Sequence, residues 1–338
     1  MDKVILNEKE QKRLMVLNEV LAGRLTGAAA AELLGLSLRQ TRRLLAGYRR
    51  EGAAGLAHGN RGRTPVNKVS SEVAAAVVAL ARDEYVDYND RHLTEELAER
   101  HAIVLSSPTV RRLRRAAGLG SPRKRRSSRH RRRRERYPQA GMLLQVDGSR
   151  HDWLEGRGPW LTLHAAIDDA TSEVVWAVFR EEEDATGYAL LLHHLSQTHG
   201  LPLALYADRH TIFQNPKQAT LAEQLAGQEP RTYVGRLLDE LGIGLIPAYS
   251  PQAKGRVERL FQTLQDRLVK ALRRAGATDA VQANALLSAF LTRFNQRFSQ
   301  PPAVPGSAYR PALSLAEANA RIHFTYWRTV ANDHTVSL

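Results

Sequence analysis

At 338 residues, with no cysteine and a net charge of +14, the chain is long enough for two or three domains. Disulfides and thiolate metal sites are excluded, so any metal must be held by oxygen or histidine ligands, and the basic balance points to a polyanionic partner. The N-terminus lacks the apolar core of a signal peptide and no run reaches membrane-spanning length, which predicts a cytoplasmic protein.

Residues 1–60 read as a first unit of three helices. The first is amphipathic (Leu14, Val16, Leu17, Val20, Leu21), and the second, Gly27–Leu34, is alanine-rich and ends at Gly35. Ser37-Leu-Arg-Gln40 has the spacing of a capping box and opens a third helix. Its inward positions are Leu38, Thr41, Leu44, Leu45 and Tyr48, and its outer face carries Arg39, Arg43 and Arg50. A short helix, a glycine turn and an arginine-faced helix predict a helix-turn-helix. Arg39, Gln40, Arg43 and Arg50 are its candidate DNA contacts; a solvated face on an ordinary bundle is the alternative.

Residues 61–118 repeat the design. Helices are expected over Ser71–Tyr85 and Thr94–His101, and Ser107-Pro108 supplies an N-cap followed by proline for a third. That helix is expected to turn Val110, Leu113 and Ala117 inward and Arg111, Arg112, Arg114 and Arg115 outward. Arg111, Arg112 and Arg115 are further candidate contacts.

Residues 119–140 form a basic linker. Positions 121–137 hold ten Lys/Arg against one Glu, a net +9 of the total +14. Like charges at this density repel, so the segment should be extended without a partner. Arg123, Lys124, Arg125, Arg126, Arg131, Arg132 and Arg133 would follow phosphates or enter a minor groove.

An α/β unit follows over 141–300. Met-Leu-Leu-Gln-Val-Asp147 is a strand-like run ending in an aspartate, before a turn-rich stretch. Trp160–Ile167 and Val174–Phe179 complete a three-stranded meander, and Asp168 and Asp169 between them read as turn residues. A helix over Ala185–His199 leads to the strand Leu201–Ala207, with Asp208 at its end, where ligands gather in open α/β sheets. His210 reads as polar surface beside that turn. Further elements are a charged helical stretch over 216–227, a helix over Tyr233–Leu241 and a strand over Ile243–Ile246. Val257, Leu260, Phe261, Leu264 and Leu268 then mark the buried face of a long helix. Glu258 lies beside that stripe, with Gln252, Lys254 and Arg256 around it, and a first-turn glutamate also suits the positive helix end.

Asp147, Asp208 and Glu258, with Ser250-Pro-Gln252 before the third acid and Gly255-Arg-Val-Glu-Arg259 around it, resemble the transposase and retroviral-integrase superfamily. The wording is most similar to the ISNCY-type bacterial insertion-sequence transposases, and Phe294-Asn-Gln-Arg297 and Pro301-Pro302 resemble that family's post-catalytic segment. The resemblance implies an RNase H-like catalytic core behind all-α helix-turn-helix units. It implies that Asp147, Asp208 and Glu258 are the catalytic acids and the ligands of two Mg²⁺ or Mn²⁺ ions, with Asp147 bridging both. Lys254 and Arg256 would touch DNA. The implied activity is metal-dependent strand cleavage and strand transfer at terminal inverted repeats, by a homodimer or higher oligomer on element ends and target DNA in the bacterial nucleoid. The fifty-residue interval between Asp208 and Glu258 is longer than in retroviral integrases.

An RNase H-like nuclease without strand transfer, or a DNA-binding regulator derived from a transposase, are the competing readings. Residues 301–338 are a post-core segment. Phe324–Val330 and Thr335–Leu338 around a turn predict the opening hairpin of a truncated C-terminal β domain.

Overall fold

The computed structural model describes residues 5–58, 60–61, 63–120, 134–208, 210–213, 231–248, 255–324, 330 and 335. The expected 216–227 helix, Lys254, the linker residues from Arg123 to Arg133 and all of the expected C-terminal hairpin except Phe324, Val330 and Thr335 lie outside them. The chain divides into two compact units, Met1–Lys124 and Arg125–Leu338.

In the first unit α1 (Glu8–Leu21), α2 (Gly27–Leu34) and α3 (Leu38–Glu51) are followed by a 3₁₀ turn at Gly52–Leu56. Local chemistry sets each boundary. Asn7 and Glu10 form a capping box on α1, Gly35 ends α2 in the left-handed region at φ 63°, and Ser37 with Gln40 caps α3. Glu10 is buried and also accepts the His58 N–H at 3.0 Å and an ion pair from Arg61, tying the end of the bundle to its start. Thr41 is buried as expected, but Leu38, in the first turn of α3, is 39% exposed.

The next three helices are α4 (Ser71–Asp83), α5 (Asp90–His101) and α6 (Ser107–Ala116), packed around Val77, Ala81, Tyr85, Tyr88, Leu93, Leu97 and Val110. α5 starts four residues earlier than its apolar pattern suggests, because the Asn89 side chain accepts from the Arg91 and His92 N–H groups. The N-cap of α6 is Ser106, which puts Ser107 inside the helix. Arg114 is a correction. It is buried, at 2% exposure, donating to Asp90 Oδ1 at 2.7 Å, the Tyr88 carbonyl at 3.0 Å and the Gly120 carbonyl at 3.2 Å. The spacing from Val110 to Arg114 is one helical turn, so both face the core.

The second unit is built on a five-stranded sheet of β1 (Leu144–His151), β2 (Leu161–Asp168), β3 (Val174–Arg180), β4 (Ala204–Ala207) and β5 (Gly244–Pro247). The order is β3-β2-β1-β4-β5, with β2 antiparallel to both β1 and β3, β4 parallel to β1 and β5 parallel to β4. α7 (Ala185–Thr198) supplies the crossover from β3 to β4, and α8 (Tyr233–Glu240) precedes β5. α9 (Gly255–Ala275), α10 (Ala280–Phe298) and α11 (Leu315–Arg321) complete the described elements.

Two apolar layers hold the sheet. Leu144, Val146, Ala166 and Leu205 pack on α7 and α8, and Leu161, Leu163, Ala165 and Ile167 pack on α9 and α10. The expected stripe of α9 is that second contact, with Val257, Leu260, Phe261, Leu264 and Leu268 all buried. This is the RNase H-like arrangement. The segment after residue 300 folds back onto it. Gln300 N–H donates to the Thr171 carbonyl at 2.8 Å, Ala308 N–H donates to the Ala140 carbonyl at 2.8 Å, and Ile322 joins the α7 layer.

Candidate active site and nucleic-acid interface

Asp147 lies within β1 and pairs with Ala165, and the strand runs on to His151. The expectation of a strand-end aspartate is therefore corrected. Beyond the apolar run, Gly148-Ser-Arg-His151 is held extended by pairing with residues Leu161–His164 of β2, a tertiary contact that lengthens the strand. Side chains alternate along a strand, so Asp147 shares its face with Gln145 and Ser149. Both of these touch α9: Gln145 Oε1 accepts the Val257 N–H at 3.2 Å, and Gln265 Nε2 donates to Ser149 Oγ at 3.3 Å.

Asp208 follows the last residue of β4. Leu144 and Gln145 pair with Leu205 and Tyr206 in the parallel ladder, so Asp147 and Asp208 each lie two residues beyond its last pair on adjacent strands. Adjacent strands lie about 4.8 Å apart. Asp208 Oδ1 accepts the His210 N–H at 3.0 Å, which fixes the turn, and His210 itself is exposed as expected. Glu258 is exposed in the first turn of α9, one residue after the Val257 amide that is tied to β1.

A fourth carboxylate lies against the same strand. Glu183 Oε1 accepts the Tyr188 hydroxyl proton at 2.6 Å, and its carboxylate lies against β1 where a side chain on Gly148 would sit, 2.6 Å from an added Cβ. Burial first, then Glu183, Asp147 and Asp208, hold the Tyr188 pKa well above its ordinary value, so it stays a proton donor. Glu183 gives no local signal in sequence, because it sits in the acidic run Glu181-Glu-Glu-Asp184.

Asp168 and Asp169 are buried and structural. Asp168 accepts from the Gly141, Ala170 and Thr171 amides at 2.7, 2.9 and 3.0 Å. Asp169 accepts from Gln145 Nε2 at 2.8 Å, Arg256 Nη1 at 2.8 Å and the Tyr137 N–H at 2.9 Å, and pairs with Arg134. The Arg256 guanidinium, a candidate DNA contact, is thus turned onto a buried carboxylate. Burial pulls its pKa down, with Asp169 opposing.

The three sequence-predicted acids occupy neighbouring elements, and their oxygen donors suit a hard divalent cation. Among the described residues, no three carboxylate or imidazole groups converge closely enough to form a ready-made metal cage. In the N-terminal unit Arg39, Arg43 and Arg50 are exposed on α3, and Arg111, Arg112 and Arg115 on α6. Gln40 is exposed too, but its Oε1 accepts the Ser37 N–H at 3.3 Å as part of the cap. No helix among the described residues is long and apolar enough to cross a membrane.

Residues 12–64 match a family model described as a helix-turn-helix domain, which supports DNA binding by the N-terminal unit. Among solved structures, the chain is distantly similar to one in the simian T-cell lymphotropic virus intasome bound to PP2A regulatory subunit B56 gamma. That likeness has 18% identity and a TM-score of 0.35, over 70% of this chain and 79% of the other. Over 95% of its length the chain is 39% identical to 69% of the "Putative transposase y4bF" of Sinorhizobium fredii (strain NBRC 101917 / NGR234). Over 97% of its length it is 30% identical to 76% of the transposase for insertion sequence IS1202 of Streptococcus pneumoniae. With that coverage of both relatives, the chain belongs to the family of insertion-sequence transposases.

Proposed function

We propose that the protein binds the terminal inverted repeats of an insertion sequence, cuts the DNA strand there and joins the freed 3′-hydroxyl to target DNA. The observation that supports this reading is that Asp147 and Asp208 each follow by two residues the paired Gln145 and Tyr206 of adjacent parallel strands, while Gln145 also accepts the Val257 N–H one residue before Glu258. Asp147, Asp208 and Glu258 would hold two Mg²⁺ or Mn²⁺ ions. When bound, such ions activate an attacking oxygen and stabilise the charge on the leaving one.

The chain's own residues do the rest. The α3 arginines Arg39 and Arg43 lie where a recognition helix meets base edges. Arg111, Arg112 and Arg115, with the linker cluster and Lys254, add phosphate contacts. Tyr188 keeps Glu183 against β1, and the charges of Asp147 and Asp208 help to keep its hydroxyl protonated. Joining requires two ends and a target in one assembly, which favours a homodimer or larger oligomer.

The test uses the full chain, a duplex carrying the inverted repeats that flank its gene, a target plasmid and Mg²⁺. Repeat ends covalently joined to plasmid are the expected product. Nicked repeats without joining would reduce the activity to that of a nuclease, and binding without nicking would leave a regulator.

A further inference from the structure

We propose that Gln145 is a positioning residue that fixes the first turn of α9, and through it Glu258, to the strand bearing Asp147. The inference rests on the reading of Glu258 as a metal-holding acid. Gln145 is fully buried two residues before Asp147, and its amide is used at both ends. Nε2 donates to Asp169 Oδ1 at 2.8 Å and Oε1 accepts the Val257 N–H at 3.2 Å.

A carboxylate can only accept, so Asp169 dictates which end of the amide faces it and leaves the oxygen for Val257. The first amides of a helix have no partner within it, and here one of them is satisfied by a side chain from a distant strand. Asp169 holds the neighbouring residue as well, through Arg256 Nη1 at 2.8 Å. Arg256 and Val257, the two residues before Glu258, are therefore anchored to one buried carboxylate, directly and through Gln145. Asp169 is itself fixed by the Tyr137 N–H at 2.9 Å and by Arg134. With these donors on its two oxygens, Asp169 is a fixed anchor.

The consequence is a constant distance between Asp147 and Glu258. Both depend on Gln145, one through two residues of strand and the other through one residue of helix. A helix start held only by local capping would swing relative to the sheet.

The experiment measures amide hydrogen exchange and Mn²⁺ binding in the full chain without DNA. Gln145→Leu is expected to speed exchange in residues 255–260 at least tenfold, leave 266–275 unchanged, and weaken Mn²⁺ binding at least tenfold. Gln145→Glu sets two carboxylates together and is expected to behave similarly. Gln145→Met keeps the length of the side chain without its two hydrogen bonds and is expected to match Gln145→Leu in residues 255–260.

Unchanged exchange at 255–260 in Gln145→Leu overturns the proposal, as does uniform acceleration along α9, which marks a packing role only. If Gln145→Leu fails to fold, Gln145→Met decides, and unchanged exchange at 255–260 in that variant overturns the proposal. Mn²⁺ binding by the unaltered chain that is insensitive to Glu258→Gln would instead refute the metal-holding reading, while the exchange data still judge the anchor.

Discussion

The Tyr188 hydroxyl and the Glu183 carboxylate meet at 2.6 Å beside β1, in space left open because residue 148 is glycine. Gly148 has no positive φ to require it, so what it supplies is room. An added Cβ would lie 2.6 Å from Glu183 Cδ and 3.0 Å from its Cγ, against a side chain that can move away. Gly148→Ala should therefore leave the sheet intact and displace Glu183 from β1 and from Tyr188. The expected outcome is a fall in end cutting of roughly tenfold, with DNA affinity unchanged, and a lowered Tyr188 pKa in a spectroscopic titration once its acceptor has left. The fall in cutting corresponds to about 1.4 kcal/mol. A variant with full activity and an unaltered tyrosine titration would place Glu183 outside the site.

The acids themselves are tested by Asp147→Ala, Asp208→Ala and Glu258→Gln. Each should lower cleavage and joining by on the order of 10³-fold or more while DNA binding survives, because residues that hold the same ions act as a unit and their losses do not add. Chelator should abolish activity, Mg²⁺ or Mn²⁺ should restore it, and Ca²⁺ should support binding with little chemistry, being larger and less strict in geometry. Activity surviving Asp208→Ala but lost in an Asp169 variant whose exchange profile is normal would reassign the second acid.

Much of this site was legible in the chain before its structure. The α9 stripe from Val257 to Leu268 is a 3.6-residue pattern and needs no tertiary information, and Asp168 and Asp169 were readable as turn acids. Their partners were not. Gln145 and Asp169 are 24 residues apart, and Arg256 and Asp169 are 87 apart, so nothing in local propensity joins them. Asp147 looked strand-terminal because the apolar run ends at Val146, yet cross-strand pairing of Gly148 with His164 and Ser149 with Leu163 carries the strand beyond it. For Arg114 a signal existed. It lies four residues after buried Val110, on the inward face of α6, and four arginines around Leu113 obscured it.

His164 makes a prediction about pH. It is 1% exposed, and neither ring nitrogen has a hydrogen-bond partner among the described residues. Its ring packs on Tyr188 at 5.2 Å and against Gly187. Burial pushes its pKa down to about 4, with nearby Asp184 opposing and Arg180 assisting. An imidazole that titrates near 6.5 when unfolded and near 4 when folded takes up its proton first in the unfolded chain. Its contribution is fully present above about pH 6.5 and is lost as pH falls towards 4, by about 2 kcal/mol at pH 5 and about 3 kcal/mol at the limit. His164→Leu should remove that part of the slope in urea unfolding compared at pH 7 and pH 5, with little loss at pH 7. An unchanged slope would mean that the ring is already protonated or solvated in the fold.

The arginines of α6 should separate into two kinds. Arg112 and Arg115 are exposed, so Arg112→Ala and Arg115→Ala should leave thermal unfolding unchanged and weaken DNA binding. Each should reduce the slope of log affinity against log salt by about 0.9 if it neutralises one phosphate. Arg111 is also exposed but lies 3.4 Å from Asp90, so its loss should cost binding and little stability. Arg114 differs because its guanidinium is buried and bonded to Asp90 and to the Tyr88 and Gly120 carbonyls. Arg114→Ala strands those acceptors and opens a cavity, an expected loss of about 3 kcal/mol or more in unfolding free energy. Its DNA affinity should fall only in proportion to the unfolded fraction, and a salt slope measured well below its melting temperature should match the unaltered chain. A stable Arg114→Ala protein with a reduced salt slope would show that this side chain leaves the core to meet a phosphate.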